Sequence, residues 1–372
     1  MPAVTSSVEA SGKLPPIRTA ILGYGLSGRV FHAPFLRHLP EFDIKYIVTS
    51  DKERRARAES ENPSALICES VDQFVAEANM VDLVVLAGPP QTHLEQGLTC
   101  LAQGAAIVVD KPFASSVAEA RELVTAAGVA GLPLIVFHNR RWDGDFLTVK
   151  SLIDKNKLGD VFHFESTFEH WSPVVTDGWK DQLAPTQGGG VGWDLGSHLV
   201  DHALQLFGPV TDVSATLSAT RPGAGNDDSA VILLTHGSGV VSKLTMNRIG
   251  FQGGPRFRVL GTGGTYTSYG LDPQEPTLDA GVSPGDATYG RVPEERYGVL
   301  TAPSTHGKIS ETRIATQRGD YSEFYRLVAA ALRRGGTVPV TTQSALDVVA
   351  VLEQAYLAAW DTSDQSRSGM HA

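Results

Sequence analysis

The chain has 372 residues, 42% hydrophobic and 19% charged, the balance of an ordinary soluble globular protein and long enough for two domains. Its net charge of −10 lacks the basic footprint a nucleic-acid partner requires, and no apolar run reaches membrane-spanning length. Two cysteines, Cys68 and Cys100, make neither a disulfide framework nor a metal-ligand spacing, which points to a reducing cytoplasm.

Residues 1–16 are polar and proline-bearing and are expected to form a disordered extension, not a signal peptide. Ile17 to Leu22 reads as a strand running into Gly23-Tyr24-Gly25-Leu26-Ser27-Gly28, with a helix expected over Arg29 to His38. Strands follow at Ile44–Val48, Leu83–Leu86, Ala105–Val109 and Leu134–Phe137, alternating with helices at Lys52–Glu61, Val71–Ala78, Thr92–Gln103 and Val117–Gly128. This alternation predicts an α/β domain with a doubly wound parallel sheet, covered on both faces. A lone G-x-G-x-x-G is a weak signal, but here it follows a strand and opens a helix, the context of a dinucleotide site. Gly23 would make the tight turn, Gly25 would admit the pyrophosphate, and Gly28 would let helix and strand pack closely. Tyr24, Leu26 and Ser27 share that loop, and the free N–H groups of the helix start would hold the phosphates.

Asp110-Lys111-Pro112 places a lysine directly after a buried strand, at the carboxyl edge where doubly wound folds bind ligands. Pro112 has a fixed φ and no N–H, so it would aim the lysine rigidly. Alone, Lys-Pro would be a surface loop; a histidine-bearing helix in the second half of the chain gives it meaning.

After His138 the pattern shifts to longer sheet-like runs at Val161–Phe168, Val213–Leu217, Ala230–Leu234 and Val240–Met246, separated by Gly/Pro turns. These predict an α+β domain with a large open, mostly antiparallel sheet. The stretch from Asp272 to Thr312 has no clear periodicity and reads as a long loop. Helices are expected at Tyr321–Leu332 and Ser344–Trp360. The boundaries so drawn are 17–140 for the dinucleotide-binding domain, 141–361 for the substrate-binding and oligomerisation domain, and 362–372 for a mobile tail.

Gly188 to His202 is a flexible run feeding an amphipathic helix. Asp194 and His198 are four residues apart and share a face, which His202 continues. Three readings compete: a zinc site at His198 and His202, local packing, and an acid–base pair beside a substrate carbon. The zinc reading lacks a metalloprotease glutamate and is set aside, so no metal is expected. The third fits hydride chemistry. His198 can take a hydroxyl proton near neutrality, Lys111 can stabilise the developing alkoxide, and Asp194 can orient the imidazole or bind a second hydroxyl. Lysine and histidine lie in different domains, which puts the expected site in the cleft between them.

Gly23 to Gly28, Asp110-Lys111-Pro112 and Asp194-x-x-x-His198 together resemble the Gfo/Idh/MocA oxidoreductases, whose usual Glu-Lys-Pro becomes Asp-Lys-Pro here. The resemblance spans nearly the whole chain and implies a Rossmann domain paired with an open-sheet domain. Gly23 to Pro34, Phe137 to Asp143 and Tyr269 to Glu275 resemble the NADP-dependent scyllo-inositol dehydrogenase branch. By that resemblance Lys111, Asp194 and His198 are catalytic, Asn139 and Arg140 lie near nicotinamide and substrate, and Pro89 and His93 belong to a loop lining the cofactor. It implies hydride transfer between NAD(P) and a secondary alcohol of a cyclic polyol or sugar. The same family includes dinucleotide-binding regulators and glycoside-cleaving enzymes; retention of lysine, aspartate and histidine together argues against a regulator. A homo-oligomer, dimer or tetramer, is also expected.

NADP is expected over NAD. Ser50 at the end of the second strand leaves room for a 2′-phosphate, and Arg54 and Arg55 follow within reach, whereas an inward Asp51 would favour NAD. The substrate is expected to be a neutral ring. The inositol branch carries two arginines after the first long strand of the second domain, and Glu169-His170-Trp171-Ser172-Pro173 has neither. Trp171 and Trp179 offer flat faces for a sugar's C–H surface, and His170 and Asp194 offer hydroxyl partners.

Overall fold

The computed structural model describes residues 14–79, 81–304 and 306–368. Most of the extension expected over 1–16, and residues 369–372 of the expected tail, lie outside the described residues.

Six strands form the first sheet: β1 (Ile17–Leu22), β2 (Phe42–Val48), β3 (Leu66–Cys68), β4 (Leu83–Leu86), β5 (Ala106–Val109) and β6 (Leu134–Val136). They pair in parallel in the order β3-β2-β1-β4-β5-β6. β4, β5 and β6 are buried on both faces, as their unbroken Val/Ile/Leu runs require once helices cover the sheet. The helices carry local start and stop signals. Asp51 and Ser116 accept the backbone N–H of Arg54 and Glu119 at the starts of Lys52–Glu61 and Val117–Ala130, and Gly131 ends the latter with φ +65°. The strand order reverses between β1 and β4. Their carboxyl ends therefore open a crevice where loops diverge to either side.

The second sheet has eight strands: β7 (Val161–Glu169), β8 (Val210–Ser218), β9 (Ser229–His236), β10 (Val241–Asn247), β11 (Phe257–Gly261), β12 (Gly264–Ser268), β13 (Gly298–Pro303) and β14 (Ile309–Ile314). Its order is β14-β13-β12-β11-β7-β10-β9-β8, and every pair is antiparallel except β10 with β7. One face is packed: Ala230, Ile232 and Leu234 are buried, while Leu233 between them is 42% exposed. Helices Gly196–Phe207 and Thr342–Ser368 lie on the packed side.

Several elements differ from the sequence reading. The loop expected over 272–312 instead holds a short helix, Gln274–Asp279, and the hairpin of β13 and β14. β14 is exposed along nearly its whole length, so no alternation marks it. Leu66–Cys68 and the helix Gly144–Asp154 were not foreseen, the first being only three residues long. The chain from Ser27 to His32 is a wide π-helical turn before the α-helix Ala33–His38. The last helix runs to Ser368, past Trp360.

Candidate active site

A cleft of about 1210 Å³ lies along the carboxyl ends of the first sheet and is closed by the second. Gly23 and Gly25 after β1, Gly88 and Pro89 after β4, Asp110 and Lys111 after β5, and Asn139 and Arg140 after β6 all line it. The opposite wall brings Thr167 to His170 from the end of β7, Gly178 to Asp181, Asp194, Leu195 and His198, and Arg248.

At the nucleotide end a Cβ on Gly28 would stand 2.0 Å from the Gly23 carbonyl, so only glycine lets the turn press against the helix start. Gly25 faces open space, with the Arg54 guanidinium beyond it. Such a cradle fits a pyrophosphate: bare backbone at a helix start. Leu26 and Ser27 line the same space. Tyr24 and Gly28 support the loop from behind; the Tyr24 hydroxyl donates to Glu61 at 2.7 Å. His93 is buried behind Pro89, its ring nitrogens 3.0 Å from the Gly88 carbonyl and 3.2 Å from that of Phe113. Ser50 is exposed and outside the lining, whereas Arg54 lines it. Arg55 turns to Glu69 at 2.6 Å. Asp51 caps its own helix, accepting Arg54 N–H at 2.8 Å. Across the mouth runs Tyr269 to Asp279, a segment from the second sheet's side, held by Arg29–Asp279 at 2.8 Å.

At the other end the Gly188–Gly192 run folds the backbone against Asp227. Gly190 has φ +99°, and a Cβ there would meet Asp227 Oδ1 at 2.0 Å; Asp227 Oδ2 accepts Gly192 N–H at 2.8 Å. This turn launches Val191–Asp194, and the helix breaks at Leu195 before resuming at Gly196. Asp194 and His198 thus lie on either side of this break, and both line the cleft.

Lys111 Nζ donates to Asp194 Oδ1 at 2.8 Å and to the Asp194 carbonyl at 3.0 Å. Lys180 Nζ also reaches Oδ1, at 3.0 Å, and Arg248 donates to Oδ2 at 2.9 Å. Burial alone would raise the Asp194 pKa, but Lys111, Lys180 and Arg248 outweigh it and hold the carboxyl well below its usual range. The role foreseen for Asp194, orienting the imidazole, is therefore corrected: its oxygens face cations, and among the described residues no hydrogen bond joins it to His198. His198 is buried against the Phe168 ring, with no hydrogen-bond partner for Nδ1 among the described residues. Burial, and then the positive charges of Lys111 and Arg140, hold its pKa well below the ordinary value, so it is neutral.

His202 points away from the cleft. It stacks on Phe146 at 4.1 Å, and its Nε2–H donates to the Arg140 carbonyl at 2.9 Å. Asn139 and Arg140 are buried in the lining, and Arg140 is bound to Glu275 at 2.5 Å and to Asp143 at 3.3 Å. Trp179 lines the cleft, as do His170 and Ser172, but Trp171 between them does not. Extended chain alternates its side chains, so Trp171 faces outward and stacks on Phe251 with ring centroids 3.8 Å apart. Lys180 and Arg248 were missed. The first adjoins Trp179, which the sequence did single out; the second follows β10 without any motif.

Residues 17–138 match the oxidoreductase family with an NAD-binding Rossmann fold, and residues 146–267 match the GFO/IDH/MocA C-terminal domain. The chain is 34% identical to the NADP(+)-dependent scyllo-inositol 2-dehydrogenase IolW of Bacillus subtilis over 96% of this chain and 97% of that one. It is 28% identical to a D-apiose dehydrogenase of Paraburkholderia graminis, over 91% of this chain and 87% of that one. Among solved structures, the yvaA protein of Bacillus subtilis superimposes with a TM-score of 0.88 at 32% identity, covering 94% of this chain and 98% of that one. With both halves matched and the dinucleotide cradle in place, the chain belongs to the Gfo/Idh/MocA family of NAD(P)-dependent oxidoreductases.

Proposed function

We propose that this enzyme moves a hydride between NADP and a secondary alcohol of a neutral cyclic polyol or sugar. The observation that carries the reading is the convergence of a neutral His198 and the Lys111 ammonium from opposite walls of the cleft. Bound along the glycine loop, the nicotinamide dinucleotide would supply the hydride acceptor. His198 takes the hydroxyl proton as the carbon is oxidised, and it can do so because burial keeps it unprotonated. Lys111 donates an N–H to the same oxygen as negative charge develops there. Two of its N–H groups are fixed by Asp194, which leaves the third to point at substrate. Trp179 gives the ring a flat apolar face, and His170 a hydroxyl partner.

NADP is favoured because Arg54 stands in the cleft while Asp51 turns into its helix cap. The division of labour follows the two sheets: 17–140 for the dinucleotide, 141–361 for the substrate. IolW, the scyllo-inositol dehydrogenase, makes inositols the first substrates to try. Self-association through the open face of the eight-stranded sheet, where Leu233 and Val241 are exposed, is part of the reading. So is a cytoplasmic location, since Cys68 and Cys100 are free and buried. A panel of inositols and sugars with NADP and NAD, read by absorbance of reduced cofactor, tests the whole. Activity confined to sugar acids or non-carbohydrate alcohols would overturn it.

A further inference from the structure

Lys180 lies on the short helix Trp179–Gln182, in the segment leading from β7 toward the Gly190 turn. Its Nζ stands 3.0 Å from Asp194 Oδ1, the oxygen that Lys111 reaches at 2.8 Å. Two nitrogens on one oxygen can be no farther apart than those two distances laid end to end. The catalytic lysine and Lys180 are therefore held side by side by the carboxylate between them. Arg248 occupies the other oxygen at 2.9 Å, so Asp194 has little acceptor capacity left for a substrate hydroxyl.

The two lysines are differently placed. Lys111 is 16% exposed and gives two N–H groups to Asp194. Lys180 is 38% exposed and meets Asp194 only as an ion pair at 3.0 Å, alongside its contact with the face of Trp179 at 5.7 Å. It faces the cleft with donors to spare. An ammonium can only donate, so what it meets must be an acceptor oxygen.

We infer that Lys111 and Lys180 together read a gauche pair of oxygens on adjacent carbons, with Lys111 on the reacting oxygen and Lys180 on its neighbour. Lys180 is then a specificity-determining residue, and the substrate class narrows to vicinal diols and the matching α-hydroxy ketones. This rests on the polyol reading of the same site. The shared carboxylate carries it: two ammonium groups held on one oxygen can each donate to one of two neighbouring substrate oxygens.

The test compares wild type with Lys180→Met on the most active polyol of the panel and on its analogue lacking both hydroxyls that flank the reacting carbon. The expected loss of kcat/KM is about 10- to 100-fold on the polyol, the scale of one charged hydrogen bond, and at least tenfold smaller on the analogue. Lys180→Arg, which keeps donors in place, should restore part of the discrimination, and NADP affinity measured by fluorescence titration reports that each variant is folded. Equal losses on both substrates would overturn the inference and leave the polyol reading standing. Failure of the wild type to turn over any polyol would overturn both.

Discussion

The Ser27 hydroxyl donates to Asp110 across 83 residues of chain, and the other Asp110 oxygen accepts the backbone N–H of Lys111 at 2.7 Å. Burial opposes the charge on Asp110, but His32, Lys111 and Ser27 prevail and bring its pKa down to about 2. One ionised carboxyl thus joins the glycine loop to the backbone of Lys111. Asp110→Asn should raise KM for the dinucleotide and lower kcat together, each about tenfold, the scale of a charge-assisted hydrogen bond. Steady-state kinetics with both substrates varied would separate the two. A change in only one parameter argues that the loop and the lysine are held independently.

Replacing either partner of the acid–base machinery should cost turnover and spare binding. Lys111→Ala and His198→Ala are each expected to lower kcat by about 10²-fold or more. The dinucleotide dissociation constant of His198→Ala should stay within about threefold of wild type, because the imidazole lies beyond the glycine cradle. Near-native turnover in both variants would remove this assignment.

The pH profile follows from the same two groups. With His198 as the proposed base, oxidation requires its neutral form, and its pKa is held well below 6.5 by burial and then by Lys111 and Arg140. It also requires protonated Lys111, whose pKa burial brings below 10.5, against the pull of Asp194 and with the push of Lys180. As pH falls, kcat/KM should hold through 6.5 and drop only below it; as pH rises, it should drop before 10.5 is reached. An acid limb at 6.5 or higher, or one that persists in His198→Ala, would point to a different base.

Cofactor choice should depend on Arg54. Its guanidinium faces the cleft beside Gly25, whereas Arg55 is engaged with Glu69. Arg54→Ala is expected to lower kcat/KM with NADP about tenfold and with NAD about twofold or less, as loss of one phosphate-pairing charge would. Arg55→Ala should do less. Parallel assays with both cofactors decide this, and a wild type that prefers NAD overturns it.

The parts of this site that could be read in advance are those in which neighbours along the chain are also neighbours in space. Gly23 to Gly28 and Asp110-Lys111-Pro112 each act within one turn at a strand end, so sequence carries their geometry directly. Asp194 and Lys180 belong to different short helices, and Arg248 reaches the same carboxylate from 54 residues away. No spacing rule links such positions, because the folded sheet brings them together. Trp171 misled for a related reason: an exposed aromatic beside polar residues suggests a sugar platform, but strand alternation turns it outward once His170 and Ser172 face in. The helix Gln274–Asp279 was hidden by its length and its proline.

The segment from Tyr269 to Asp279 comes from the far half of the chain, yet it walls the dinucleotide end and grips the first helix through Arg29. The cofactor site is therefore not a detachable module. A fragment cut near residue 140 would carry the whole glycine fingerprint and still present a trough with one side missing. Exchanging second halves between relatives would likewise change how firmly the nucleotide is held, even with every residue of the fingerprint left in place.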